Sequence, residues 1–298
     1  MAKKFFLIIL FLVTFPWPVL ADSEILVFQS VRIPLYEDAL KGFLSVSNPE
    51  IKRLFISEVK TSDLTKEIKK TDPPLILAIG RDALLSVKEI RNIPVVYIMV
   101  LNPHSILAHD DNFYGISMNI PPKKQLEKFT NAIPGLNNIG MIYNPDNTGE
   151  LARNAVKAAE KSGIKLITGK AQNAGDVPPM IKDMADKIEA FWMLPDITLM
   201  TPETIEFLLI TSMERRIPIL TFSHKYVEIG ALMSLGVDPY DMGRQAGEIA
   251  QKLLDGTAKG DGKIIFARRE VITLNMKIAE KLGIELNQEL NTEIRIIK

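Results

Sequence analysis

Short runs of consecutive apolar residues alternate along the chain with longer segments whose apolar positions recur every three or four residues. EILVFQS, RLFISEV, PLILAIG, IPVVYIMV and YGISM are the runs of the first part, and each has the length of a strand. Between them lie a segment with Tyr36, Leu40 and Phe43 on one helical face, then DLTKEIKK and RDALLSVKEI. Strands apolar on consecutive residues, as in ILVF and LILAI, are covered on both faces, which is the condition of a parallel sheet packed between helices. The pattern restarts after PPKKQLEKFTNAI, whose paired prolines favour a helix start. Strands NIGMIYNP, IKLITG, AFWMLP, PILTFS and ALMSLGV then alternate with helices TGELARNAVKAAEKSG, PPMIKDMADKI and TPETIEFLLITSMERR. Two sets of βα units predict an α/β chain with two sheets of similar build. No low-complexity segment separates them, so short crossings near residues 118–122 are expected to join two lobes. YDMGRQAGEIAQKLLDG is a further amphipathic helix ending at Gly256, and the tail from Val271 holds one last strand and the helix NMKIAEKLG.

The first residues break this pattern. MAKKFFLIILFLVTFPWPVLADSE sets Lys3 and Lys4 before an apolar run over residues 5–13, then Pro16 and Pro18, then small residues. That is the layout of a secretory signal peptide over residues 1–21, cleaved after about Ala21. The uninterrupted run is shorter than the roughly 18–20 residues that span a bilayer. The chain has no cysteine, so it forms no disulfide and has no thiol for a lipid anchor at the cleavage site. A periplasmic protein that diffuses freely is expected. Lys plus Arg and Asp plus Glu are equal at 36 each, which leaves no basic excess for a nucleic-acid backbone. With 298 residues and 47% hydrophobic content, the chain can bury the cores of two domains without a metal or disulfide to staple them.

In open parallel sheets, ligands bind beyond the carboxyl ends of the strands. The polar residues at those ends are Gln29 and Ser30, then Gly80, Arg81 and Asp82, then Asn102. In the second set they are Asn144 and Asn147, Asp196, Ser223 with Tyr226, and Asp238. These are the candidate ligand-binding residues. Helix capping explains several equally well, Asp82 above all. Trp192 lies inside a strand, where core burial is the expected role. Tyr226 lies past a strand end among polar neighbours, where it either stacks on a ligand and gates a cleft or packs locally. No GxSxG elbow, GxxxxGK[ST] loop or GxGxxG turn is present, so no catalytic residue and no cofactor are assigned. His104, His109 and His224 are the only histidines and lack ligand spacing, so no metal site is expected.

Several blocks carry a specific likeness: GISMNIPPKKQLEKF, IGMIYNPDNTGE, WMLPDITL with TIEFL, and IPILTFSHKYVEIGALMSLGVDPYDMGRQAGEIAQKLLDG. In order and spacing, from about residue 25 to 286, the chain closely resembles the ABC transporter substrate-binding protein family, whose lobes have the type I periplasmic-binding fold. The resemblance implies two Rossmann-like lobes joined by a hinge of three crossings, with a small ligand closed between them. It also implies a membrane permease and its ATPase as partners. By analogy, the first lobe comprises residues 22–119 plus about 238–271, and the second 120–237 plus about 272–298. A monomer is expected.

The likeness departs at two places. Relatives thought to take aromatic or branched amino acids read Gly-Thr-Pro-Ala-Ala in the first-lobe loop, where this chain has Gly80-Arg81-Asp82-Ala83-Leu84. The same relatives read Asn-Val-Thr-Gly-Val-Ser-Asp where this chain runs from Asn112 to Met118, so a carboxylate has become a thioether. Both changes argue against an amino-acid ligand, and Arg81 offers a charged donor in place of a hydroxyl. A ligand-sensing subunit of a signalling system is the alternative within this fold. An exported α/β hydrolase using an acid pair among the strand-end aspartates is the alternative outside it, and the lack of a nucleophile with its base counts against that.

Overall fold

Each apolar run from EILVFQS onward forms a strand in the computed structural model, which describes residues 24–59, 61–101, 103, 106–107, 112–258, 264–287 and 293–297. The expected signal peptide, Asn102, His104 and His109 lie outside the described residues. The first sheet holds β1 (Ile25–Gln29), β2 (Ile51–Phe55), β3 (Ile76–Ile79), β4 (Val95–Val100), β5 (Phe113–Ser117) and β11 (Ile264–Phe266). Its order is β11-β5-β4-β3-β1-β2, and every pair is parallel. The second sheet holds β6 (Asn138–Tyr143), β7 (Lys165–Lys170), β8 (Ala190–Trp192), β9 (Ile219–Thr221), β10 (Met233–Val237), β12 (Glu270–Asn275) and β13 (Glu293–Ile297). Its order is β13-β12-β10-β9-β8-β6-β7, parallel except where β12 runs against β10.

The helices that matter for the cleft are α1 (Pro34–Ser47), α3 (Arg81–Val87), α4 (Pro122–Ala132), α5 (Pro145–Lys161), α7 (Pro202–Arg215) and α8 (His224–Glu228). Helix α9 (Pro239–Leu254) follows β10 of the second sheet in sequence but packs on α1 beside the first. The two helices touch backbone to backbone: a Cβ on Gly243 would lie 1.8 Å from the Ala39 carbonyl oxygen. No side chain fits between them, so this contact fixes where the chain re-enters the first lobe.

Three segments pass between the sheets: one after β5, one at Asp238, and one between β11 and β12. In the first, the Gln125 side chain donates to the Ile120 carbonyl (2.7 Å) and accepts from the Trp192 indole N–H (3.2 Å). Trp192 is buried as expected and packs edge-on to Phe129. In the third, the Arg268 guanidinium bridges Asp241 (3.0 Å) and Glu248 (2.9 Å), both on α9. The largest buried apolar cluster contains Ile25 and Leu77 of the first sheet together with Leu220 and Ile272 of the second. The protein thus has the expected α/β class, with two lobes built on mostly parallel sheets. The apolar pattern did not predict α8, β11 or β13. Helix α8 and β11 are only five and three residues long, and β13 has no fully buried position and is broken by Glu293 and Arg295 instead of forming an apolar run.

Candidate ligand cleft

Strand ends of both sheets face a common cavity of about 350 Å³, within the roughly 300–1,000 Å³ range of small-molecule sites. From the first lobe come Tyr36 of α1, Arg81 at the start of α3, and Met99 and Leu101 at the end of β4. Met99 has φ +60°, a left-handed backbone uncommon for a residue with a side chain. The β4 and β5 pairing shifts register beside it, so an irregularity in the strand lies at the cavity wall. Met118 of the first crossing adds a thioether.

From the second lobe come Asn147 of α5, Pro195 and Ile197 beyond β8, and Phe222, Ser223, His224 and Lys225 after β9. One face of the sheet completes the wall. Ser234 of β10 lies opposite Thr273 of β12, and Thr273 lies beside Arg295 of β13, so three polar side chains form a row across three strands. Arg81, Lys225 and Arg295 bring positive charge to the lining, and no carboxylate lines it among the described residues. A second hollow of about 650 Å³ shares Asn147 and Pro195 but carries the carboxylates of Asp146 and Glu150.

The strand-end residues singled out in the sequence divide into two groups. Arg81, Asn147 and Ser223 line the cavity. Asn102 lies outside the described residues, Asp82 is exposed and caps nothing, and the rest are tied into the surrounding fold. Gln29 is fully buried, accepts from Arg53 and donates to the Val31 carbonyl at 2.7 Å. The Ser30 hydroxyl accepts from the Ala83 amide at 2.9 Å and so pins the first turn of α3. Gly80 has φ +92°, and a Cβ there would lie 2.6 Å from the Ser30 hydroxyl and 2.7 Å from the Tyr36 hydroxyl. Its bareness lets Tyr36 reach the cavity wall. Asp82 is exposed, and its charge adds to burial in raising the Tyr36 phenol pKa.

Asp196 forms the densest polar contact of the second lobe. It is buried and accepts from the Asn144 amide (3.0 Å), the Asn147 side chain (2.8 Å), the Thr198 amide (3.1 Å) and hydroxyl (2.7 Å), and the Thr148 hydroxyl. Burial alone would push its carboxyl upward; the donors from Thr148, Thr198, Asn147 and the Asn144 amide outweigh it and hold the group below the usual range. Asn144 caps α5 through the Asp146 amide (3.0 Å) and donates to Thr198 (3.0 Å). Asp238 caps α9 through the Asp241 amide (3.2 Å) and lies 3.8 Å from Arg269. Tyr226 stands behind the cavity wall, edge-on to Phe222 with ring centres 5.4 Å apart. Burial raises its phenol pKa.

Tyr36, Met99, Phe222, Thr273 and Arg295 are lining residues that the strand-end rule does not find. Phe222 and Met99 read as the last positions of apolar runs, and nothing local separates the end of a core strand from a cavity wall. Thr273 and Arg295 lie within strands β12 and β13, where the antiparallel turn of β12 presents a sheet face to the cleft. An alternation of polar residues in TEIRIIK is the one signal that could have found Arg295.

Two parallel-sheet lobes, three crossings and a shared cavity define a two-lobed binding protein. The family described as ABC transporter substrate binding protein matches residues 56–295, and the chain belongs to it. This is a family of substrate-binding proteins, not of enzymes. Among curated relatives, the "Tyrosine-binding protein" of Clostridioides difficile is 22% identical, covering 89% of this chain and 82% of the relative. Among solved structures, the ligand-free, open form of a substrate binding protein with adhesive properties from Clostridium difficile has a TM-score of 0.75 at 21% identity, covering 93% of this chain and 100% of that one. An ABC domain in complex with L-Trp from Streptococcus pneumonia has a TM-score of 0.66 at 22% identity, covering 92% and 99%. At these identities the solved structures carry the fold alone.

Proposed function

We propose that this protein is the exported solute-binding component of an ABC importer, which captures a small organic ligand by lobe closure and delivers it to a membrane permease driven by an ATPase. The observation that carries this reading is the cavity walled by both lobes beside the three crossings. Bending at those crossings widens or closes the cavity without disturbing either sheet. The curated relative named for tyrosine binding supports a compact organic ligand with an apolar body. In this reading Arg81, Asn147 and Ser223 touch the ligand. Gln29, Ser30, Gly80, Asp82, Asn144, Asp196, Tyr226 and Asp238 position the walls.

The leader over residues 1–21 directs the chain to the periplasm, where the mature monomer diffuses between solute and permease. Lobe 1 is residues 22–119 with about 238–271, and lobe 2 is the remainder. The test is native mass spectrometry of protein purified from its own compartment without denaturation, followed by identification of what unfolding releases. A stoichiometric small molecule supports solute capture, and deletion of a neighbouring permease gene should then abolish its uptake. Uptake that persists without this protein would overturn the importer role.

A further inference from the structure

The cleft has an unbalanced charge. Arg81, Lys225 and Arg295 line one cavity, and among the described residues no carboxylate lines it with them. Arg81 and Lys225 are exposed and form no ion pair among the described residues. Among the described residues Arg295 pairs with Glu293, at 3.4 Å, on the exposed edge strand β13. When lobes close on such a cavity, water leaves and like charges interact through a medium of lower dielectric constant. An apolar or cationic occupant would leave Arg81 and Lys225 uncompensated, and an anionic one would pair with them.

The rest of the wall completes the picture. Met99, Met118, Phe222 and Val271 present apolar surface to the same space. Its neutral polar groups include the Asn147 amide, which already donates to Asp196, and the hydroxyls of Ser223 and Thr273. An ammonium group entering here would meet no carboxylate among the described residues and would share the space with three cationic side chains. Resting on the solute-capture reading above, we infer that the ligand is an organic anion with an apolar body and no ammonium group, of the class of alkyl, aryl or 2-oxo carboxylates. The cations hold its charged end and the methionines and Phe222 its body.

The test pairs acids with amino acids and amines of the same skeleton: 3-phenylpropanoate and phenylpyruvate against L-phenylalanine and phenethylamine, and 4-methyl-2-oxopentanoate against L-leucine. Calorimetric titration of the mature protein should give at least about tenfold tighter binding of each acid than of its amino acid, with no binding of the amine. The preference should shrink as salt rises. Arg81→Ala should weaken acid binding about tenfold while leaving the melting temperature unchanged. Met118→Asp, which sets a carboxylate in the wall, should shift preference toward the amino acids. Equal or tighter binding of the amino acids by the unaltered protein overturns the inference, and so does no binding of any acid by protein that melts cooperatively. Solute capture is judged separately by the natively released compound. A zwitterion or cation ends the anion proposal and leaves capture standing; an anion supports both. A protein that releases nothing and binds none of the probes ends both.

Discussion

The end of β3 and the end of β8 occupy matching places in the two sheets, and each passes from buried apolar residues to a charged one. Beyond β8 the charge is Asp196, buried and surrounded by donors from Asn144, Asn147, Thr148 and Thr198. Beyond β3 it is Arg81, exposed to the cleft and without an ion pair among the described residues. A carboxylate whose acceptor sites are occupied is committed to the scaffold, because breaking those bonds to reach a ligand costs more than the ligand returns. A cation without an intramolecular partner is free to answer a ligand. Charge at a strand end therefore does not reveal its use; the partners around it do.

Variants on the two sides sharpen the contrast. Asp196→Ala should have the largest effect on stability, about 3 kcal/mol, because several buried donors lose their acceptor at once. Urea unfolding measures it, and a change within about 0.5 kcal/mol would show that the cluster does not hold the fold. Gly80→Ala should cost about 1–2 kcal/mol, since a side chain at φ +92° is strained and meets Ser30 and Tyr36. It should also weaken ligand binding by displacing Tyr36, which separates it from a change in the core alone.

The acid limb of stability tests Asp196 from another side. Its folded-state pKa lies below the unfolded value of about 3.9. Its contribution is therefore fully present above the unfolded value and is lost as pH falls through the folded one. Unfolding free energy measured between neutral pH and pH 3 should drop less steeply in Asp196→Ala than in the unaltered protein; parallel curves would remove Asp196 from the acid response. Arg81→Ala should change stability least, within about 0.5 kcal/mol, because its side chain is exposed and forms no ion pair among the described residues. A marked loss would mean that Arg81 belongs to the scaffold after all.

Much of the fold was legible. Runs such as LILAI and PVVYIMV are apolar on consecutive residues because helices cover both faces of the sheet, and this made the parallel class readable without reference to distant contacts. Trp192 was legible as core for the same reason. The site was legible in outline only. Arg81, Asn147 and Ser223 follow from the strand-end rule, but so do Gln29, Ser30 and Asp196, whose polar groups turn to other loops. Arg295 was missed because β13 is an edge strand with only a short polar alternation to mark it, and because its pairing with β12 is what carries it to the cleft.

By itself the sequence determined most of the strands and helices, the break into two sets of βα units and the polar rims, since burial imposes a periodicity that local composition records. The tertiary structure alone decided which rim residues look inward at one another and which look into the cavity. That choice depends on partners far away along the chain: Ser30 with Ala83, Asn144 with Asp196, Thr273 with Arg295. It also set the charge of the cleft, because Arg81, Lys225 and Arg295 come from separate elements of two lobes and share a cavity only once both sheets are built.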